Sequence, residues 1–385
     1  MIVLQSLIRR DKNSIKMIDK ILEKYSINGD LIEIKKFGSG NINKTYVASF
    51  MDEGINERYL IQRINTNVFT EPYNLMKNIE GVTNHLKKKN IKNNYKTLDI
   101  ILTKERKPLC YIDDENGNRS YYRIYKYIEN SISYDYSVDA KVVYNTGKAF
   151  GNFQLNLLDY PINKIKETIK DFHNTKKRYN KLLDDIKIDS NQRANDVAKE
   201  IVFVLKREDV CSQIIDKLGK GIPYRVTHND TKVNNVLMNK DNGDYLAVID
   251  LDTVMPGSLL FDYGDGIRST ASNAKEDEKD LTKVYLNLEL FEKYTDGFLS
   301  EVYTFITPDE LSLMAESIRI ITIELAIRFL DDYINGDTYF KIDYPTHNLD
   351  RVKNQIKLVE DIESKLEYMN SYIYKSYNKY KNSSN

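Results

Sequence analysis

The chain has 385 residues, 57 Lys plus Arg against 57 Asp plus Glu, and two cysteines, Cys110 and Cys211, outside any CxxC pair. That length holds two or three domain-sized units, zero net charge gives no long-range pull towards nucleic acid or an anionic membrane, and the cysteines exclude a metal–thiolate cluster and argue against a disulfide framework. The opening MIVLQSLIRRDKNSIK is too short in apolar residues for a signal peptide and no run reaches membrane-span length, so a soluble, cytoplasmic chain without a membrane or protein partner is expected.

In chain order, Ser14 to Tyr25 places Ile15, Ile18, Ile21 and Leu22 at helical spacing, and this helix is expected to lie as a lid on the strands after it. Ile32 to Phe37 reads as a strand. It leads into Gly38-Ser39-Gly40-Asn41-Ile42-Asn43-Lys44 and a second strand. A strand, glycine turn and strand can lay backbone N–H groups over phosphate oxygens, because a Cβ would hold the chain away. Tyr59 to Ile64 is the next strand, with Arg63 on one face and Gln62 on the other. Phe69 to Leu86 reads as a helix, whose Glu80 is a candidate partner for Arg63. Strands follow at Thr97 to Thr103, Leu109 to Ile112 and Ser120 to Ile128, the last pair joined by the turn Asp113 to Asn118. Tyr125 to Asn130 is the expected crossing to a second domain, with Tyr127 near an adenine edge.

From Asp139 the period becomes helical: Val142, Val143, Thr146, Phe150, Phe153 and Leu157 share one face. Helices are expected at Ile165 to Phe172, Tyr179 to Ile186 and Ala194 to Leu218. His173 is read as a helix cap or a substrate contact, the cap being preferred. The boundaries so drawn are 1–128 for a β-rich N-terminal unit and 129–385 for a mainly helical one.

The densest stretch is Val226 to Gly266. His228-Asn229-Asp230-Thr231-Lys232-Val233-Asn234-Asn235 has the spacing H-x-D-x-K-x-x-N and presents a carboxylate, a cation and a carboxamide. Asn242-Gly243 suits a tight hairpin turn, so Asn235 enters a hairpin and Asp250 leaves it at the same end. Two oxygen donors there suit Mg²⁺ held together with nucleotide phosphates. Phosphoryl transfer asks for an oriented hydroxyl, a carboxylate to take its proton and cations over the phosphates. Asp230 is the candidate base, Lys232 the cation, and Asn235 and Asp250 the metal ligands; Asp252 is acidic without a definite role. His228 is expected to tie the loop to neighbouring backbone. In Phe261-Asp262-Tyr263-Gly264-Asp265 the carboxylates are expected to brace the loop, with Arg268 facing substrate or Asp265.

Leu313 to Tyr333 is apolar almost all round and so is expected to be buried. Glu324, Arg328 and Asp331 share a face at helical spacing, forming an internal ion pair or setting Arg328 on an acceptor pocket. Gly336 ends that helix, and Tyr339, Phe340, His347, Asn348 and Arg351 follow in a polar, aromatic segment suited to a sugar.

His228 to Asn235 with Asp250 resembles the aminoglycoside phosphotransferase and choline kinase superfamily. More narrowly, GSGNINKTY, YLIQRIN, THNDTKVNN, IDLDTVMPG, YGDGIRS, ELAIRFLDDYINGDTYF and HNLDR resemble N-acetylhexosamine 1-kinases, over about Ile34 to Leu358. The resemblance implies an α+β, bilobal, protein-kinase-like fold in which a small β-rich N-terminal lobe clamps ATP against a larger helical C-terminal lobe. It implies ATP- and Mg²⁺-dependent phosphorylation of the C1 hydroxyl of N-acetylglucosamine or N-acetylgalactosamine. Asp230 would be the base, Asn235 and Asp250 would hold the metal, Gly38, Ser39, Gly40, Asn41, Asn43, Arg63 and Tyr127 would bind nucleotide, and Arg328 and Tyr339 would surround the sugar. Arginine stands where the wider pattern has a strand lysine, and Asp250-Leu251-Asp252 where protein kinases have Asp-Phe-Gly, which disfavours a protein substrate. Two alternatives remain: an aminoglycoside, homoserine, methylthioribose or choline acceptor on the same fold, and a non-catalytic nucleotide-binding protein.

Overall fold

A computed structural model describes residues 17–38, 42–90, 95–136 and 139–383. The chain divides into two compact units, one of Met1–Asn130 with Lys166–Ile169, the other of Ser131–Ile165 with Lys170–Asn385. Ser14 to Lys16 of the expected first helix, and Ser39, Gly40 and Asn41 of the glycine turn, lie outside the described residues.

In the first unit, helix α1 (17–22) precedes strands β1 (Asp30–Lys36), β2 (Lys44–Asp52) and β3 (Ile55–Arg63), helix α2 (Pro72–Asn90), and strands β4 (Ile100–Ile101), β5 (Cys110–Asp113) and β6 (Arg119–Lys126). The sheet runs β1-β2-β3-β6-β4, with β5 also on β6, and neighbouring strands are antiparallel. Strand alternation sends Tyr59, Ile61, Tyr122 and Ile124 to a core that Ile18, Ile21, Leu22 and Tyr25 complete. The leading helix is thus part of the core. The neighbouring positions Gln62 and Arg123 pair across β3 and β6, and Arg123, only 1 % exposed, donates to Gln62 Oε1 at 3.0 Å. The expected strand over Thr97 to Thr103 shrinks to β4.

The segment Lys166–Ile169 belongs to this unit, and the helix expected over Ile165 to Phe172 does not form. Asn78 of α2, fully buried, holds it instead: its Nδ2 donates to the Lys166 carbonyl at 2.7 Å and its Oδ1 accepts the Lys166 N–H at 2.9 Å. Both backbone groups are thus answered by a side chain in place of the partners a helix would give them.

The second unit begins with β7 (Ser131–Ile132), followed by α3 (Ala140–Asn156), α4 (Thr175–Ile188) and α5 (Ala198–Leu205). Strands β8 (Arg225–Thr227), β9 (Val236–Asn239), β10 (Tyr245–Val248) and β11 (Met255–Gly257) come next, then α6 (Leu259–Thr270), α7 (Leu288–Val302), α8 (Pro308–Ile334) and α9 (His347–Ser383). Strands β9 and β10 form the expected hairpin, with β7 added on its free side, and β8 pairs with β11. The helix expected over Ala194 to Leu218 is broken into short pieces around α5. Helix α8 starts on a capping box, the Thr307 hydroxyl accepting the Glu310 N–H while the Glu310 carboxylate accepts that of Thr307, with Pro308 just inside. It is buried along most of its length, as its composition requires. Among the described residues no helix is long and apolar enough to cross a membrane.

Candidate active site

The loop from His228 to Asn235 connects β8 to β9 and is fixed by backbone hydrogen bonds that reach across the second unit. Asp262, at 0 % exposure on α6, accepts the N–H of His228 at 2.9 Å, that of Asn229 at 2.7 Å, and the Gln154 amide at 2.5 Å. Burial raises this carboxyl above its usual range despite those donors. Asp265, one turn on, accepts the Thr231 N–H at 3.0 Å and is itself held by Arg268, whose Nε and Nη2 lie 3.0 and 2.8 Å from Oδ1. The two carboxylates therefore brace the loop, and Arg268 faces Asp265 and Glu276. Two glycines permit this packing. A Cβ on Gly266 would lie 1.9 Å from the Tyr294 hydroxyl oxygen, and one on Gly257 2.4 Å from Thr227 Oγ1.

His228 is fully buried against Phe150 and Phe153. Its Nε2 donates to the Ile249 carbonyl at 2.9 Å and its Nδ1 accepts the Asp230 N–H at 3.3 Å. It ties the loop to the end of the hairpin. From the other side the Ile249 N–H donates to the Asn235 carbonyl at 2.9 Å, which sets Asn235 beside the start of Asp250. Asp250 is exposed and takes φ +58°, and Asn229 takes φ +64°. Left-handed backbone at non-glycine residues costs roughly 1 kcal/mol or more and persists only where neighbours hold it.

Within that frame Asp230, Lys232 and Asn235 meet. Lys232 Nζ is 2.7 Å from Asp230 Oδ1, and Asn235 Nδ2 donates to Asp230 Oδ2 at 3.1 Å and to its carbonyl at 2.8 Å. Burial works to raise the Asp230 carboxyl, but the Lys232 charge and hydrogen bond, with the Asn235 amide, outweigh it and hold the group below the usual carboxylate range. Asp230 in turn drives the Lys232 ammonium upward. With its amide nitrogen spent on Asp230, Asn235 has its oxygen for a cation, and a carboxamide with the Asp250 carboxylate is a hard-oxygen set that fits Mg²⁺. No group of three or more His, Cys, Asp or Glu among the described residues is arranged for a metal, so an ion there depends on these two side chains and the phosphates it carries. Asp252 is buried in the turn after Asp250.

Arg328 and Tyr339 lie together on a wall formed by α8 and the segment after it. The guanidinium carbon of Arg328 is 5.3, 5.7 and 5.9 Å from the ring centres of Phe340, Phe172 and Tyr339. It has no ion pair among the described residues. Tyr339 is 61 % exposed. The expected pairing along α8 does not form. Glu324 instead accepts from Thr175 Oγ1 at 2.6 Å and meets His173 Nδ1 at 2.9 Å, and Asp331 takes Lys181 at 2.5 Å. Sequence spacing put these groups on one helix face, but each had a nearer partner on α4 or just before it. His173 is not the expected cap: Asn174 caps α4, and His173 Nε2 lies 3.1 Å from the Asn229 carbonyl. Asp332, not singled out in the sequence, accepts the N–H groups of Thr338, Tyr339 and Phe340 at 2.7 to 2.9 Å and so shapes the aromatic segment. A carboxylate followed six to eight residues later by a turn was the only signal for it.

The remaining candidates belong to the first unit. Gly38 has φ +75° at the start of the turn. Asn43 Oδ1 accepts the Asn65 N–H at 3.0 Å, bracing the β2 end of that turn. Arg63 closes β3 opposite Lys44, and no ion pair joins it to Glu80 among the described residues. Tyr127 packs under the Arg58 guanidinium, 4.0 Å from its ring centre, and edge-on to Phe37 at 5.9 Å.

A family model described as the phosphotransferase enzyme family matches residues 33–285. Among solved structures, an amicoumacin kinase in complex with AMP-PNP and Ca²⁺ is 15 % identical with a TM-score of 0.60, over 90 % of this chain and 93 % of that one. A microcompartment-associated aminopropanol kinase is 11 % identical at 0.59, over 92 % and 98 %. A choline kinase from Cryptosporidium parvum Iowa II is 15 % identical at 0.50, over 91 % and 95 %. The fold is protein-kinase-like, with a β-sheet N-terminal unit and a helical C-terminal one.

Proposed function

We infer that this chain, which belongs to the phosphotransferase enzyme family and is a kinase of small-molecule hydroxyl groups, transfers the γ-phosphoryl group of ATP to the anomeric hydroxyl of an N-acetylhexosamine. The observation that carries the reading is Asp230, partly exposed, with one carboxylate oxygen on the Lys232 ammonium and the other on the Asn235 amide. A carboxylate kept this acidic is a weak base. Its work is to orient the C1 hydroxyl and accept the proton late, when the oxygen has already become acidic in a loose phosphoryl-transfer transition state. Such base assistance contributes about 10²–10⁴ in rate, so positioning and charge neutralisation carry the rest. Lys232 balances negative charge beside the transferred group. Asn235 and Asp250 would hold Mg²⁺, whose charge neutralises the phosphate oxygens. Gly38, Ser39, Gly40, Asn41, Asn43, Arg63 and Tyr127 are assigned to the nucleotide.

The acceptor class draws its support from Arg328. A guanidinium framed by three aromatic rings, with Arg178 near the same wall, favours a neutral acceptor bearing oxygen acceptors and an apolar ring face, which a 2-acetamido sugar offers. It disfavours an ammonium group of the kind an aminopropanol or choline acceptor carries, since like charges in a half-buried wall repel. The motifs ELAIRFLDDYINGDTYF and HNLDR, which resemble those of N-acetylhexosamine 1-kinases, span this wall. The test is an ATP-consumption screen over N-acetylglucosamine, N-acetylgalactosamine, glucose, galactose, choline and an aminoglycoside, with the phosphorylated position read by NMR. Turnover confined to the amines, or phosphate on any sugar carbon other than C1, defeats the reading.

A further inference from the structure

We propose that His173 is a positioning residue: by bridging the buried Glu324 carboxylate to the Asn229 carbonyl, it fixes the peptide plane on which Asp230 is mounted. The inference rests on Asp230 being the group that faces the acceptor hydroxyl.

Asn229 sits at φ +64°, a strained conformation immediately before Asp230. Its N–H goes to Asp262 at 2.7 Å and its side-chain amide to the Thr253 carbonyl at 2.9 Å. Its carbonyl, which shares a peptide plane with the Asp230 N–H, meets His173 Nε2 at 3.1 Å. The other ring nitrogen faces Glu324 Oε1 at 2.9 Å. Phe172 and Phe261 cover the ring at centroid distances of 4.7 and 5.2 Å, so it cannot swing away without breaking that packing.

Both partners are acceptors. A carbonyl has no proton to give, and Glu324 is ionised: burial works to raise it, but His173, Arg178 and Thr175 together lower it to about 2. The two ring nitrogens thus each face an acceptor, one on α8 and one on the loop that carries Asp230. The charged groups that face it are Glu324 from α8, Arg178 from α4, whose Nε is 3.8 Å from Glu324 Oε1, and, across Phe172, Arg328. Glu324 is the counter-ion that offsets the two guanidinium groups. Without the ring, the Asn229 carbonyl loses this buried partner and is free to turn.

The test uses the full chain with His173→Gln and Glu324→Gln. In turnover with the acceptor identified above, His173→Gln lowers kcat by about tenfold or more, the loss of one buried hydrogen bond, with both KM values within twofold. Glu324→Gln lowers kcat in the same direction, and the double variant loses no more than His173→Gln alone, because both act through the same hydrogen bond to the Asn229 carbonyl. Losses that add in the double variant, an unchanged kcat in His173→Gln, or a loss confined to KM overturn the proposal. An active Asp230→Asn variant marks failure of the catalytic reading instead.

Discussion

The loop around Asp230 and the wall around Arg328 lie in the same unit and are built on opposite plans. In the loop, successive backbone N–H groups are answered from inside the protein: His228 and Asn229 by Asp262, Asp230 by His228, Thr231 by Asp265. At the wall, the Arg328 guanidinium meets aromatic faces and no carboxylate among the described residues, and Tyr339 beside it is exposed. The first arrangement suits a reacting group that must not move. The second leaves hydrogen-bonding capacity for something that arrives from outside, as the acceptor role proposed for Arg328 requires.

Substitutions break that contrast in graded ways. Asp230→Asn is expected to have the largest effect, lowering kcat by about 10²–10⁴ while nucleotide affinity, followed by titration calorimetry, stays within a few-fold. Arg328→Ala is expected to raise the acceptor KM by about 10- to 100-fold, the worth of a charged hydrogen bond, with kcat and the KM for ATP nearly unchanged in steady-state assays. If both constants moved together, the wall would be part of the machinery and the contrast would fail. Asp262→Ala strips two backbone donors and Gln154 of their acceptor, and is expected to destabilise the protein by about 3 kcal/mol in urea melts. The same change on the exposed wall, Tyr339→Ala, should leave the melt in place.

The smallest effect is a pH dependence away from both regions. Asp331 on α8 is pushed up to about 6, first by burial and then by its hydrogen bond with Asp185, against the pull of Lys181. A carboxyl whose folded value is raised contributes stability that is present below its unfolded range and lost as pH rises through the folded value. Unfolding free energy should therefore fall slightly between about pH 4 and pH 6, and the Asp331→Asn variant should lack that slope in melts taken across the window.

Much of the site was legible because it is local. Asn235 reaches Asp230 over five residues, and the hairpin that carries Asn235 and Asp250 to one end is closed by its own Asn242-Gly243 turn. The apolar circumference of α8 announced a buried helix. Ion pairing within α8 was not legible, because spacing shows which groups share a face and not which neighbour from elsewhere lies nearer. Thr175, His173 and Arg178 claim Glu324, and Lys181 claims Asp331, from about 150 residues away. The helix expected after Ile165 was lost in the same way, to one asparagine 88 residues upstream.

The sequence by itself determined the β-rich start and the mainly helical remainder of the chain, the H-x-D-x-K-x-x-N loop and its hairpin, since turn residues and hydrophobic period act over a few positions. Only the tertiary structure decided which N–H groups Asp262 accepts, that His173 links the loop to Glu324, and that Arg328 has no ion pair among the described residues. Those outcomes follow from burial: once water is removed, each polar group must find whichever partner the fold brings within reach, and that choice leaves no periodic trace along the chain.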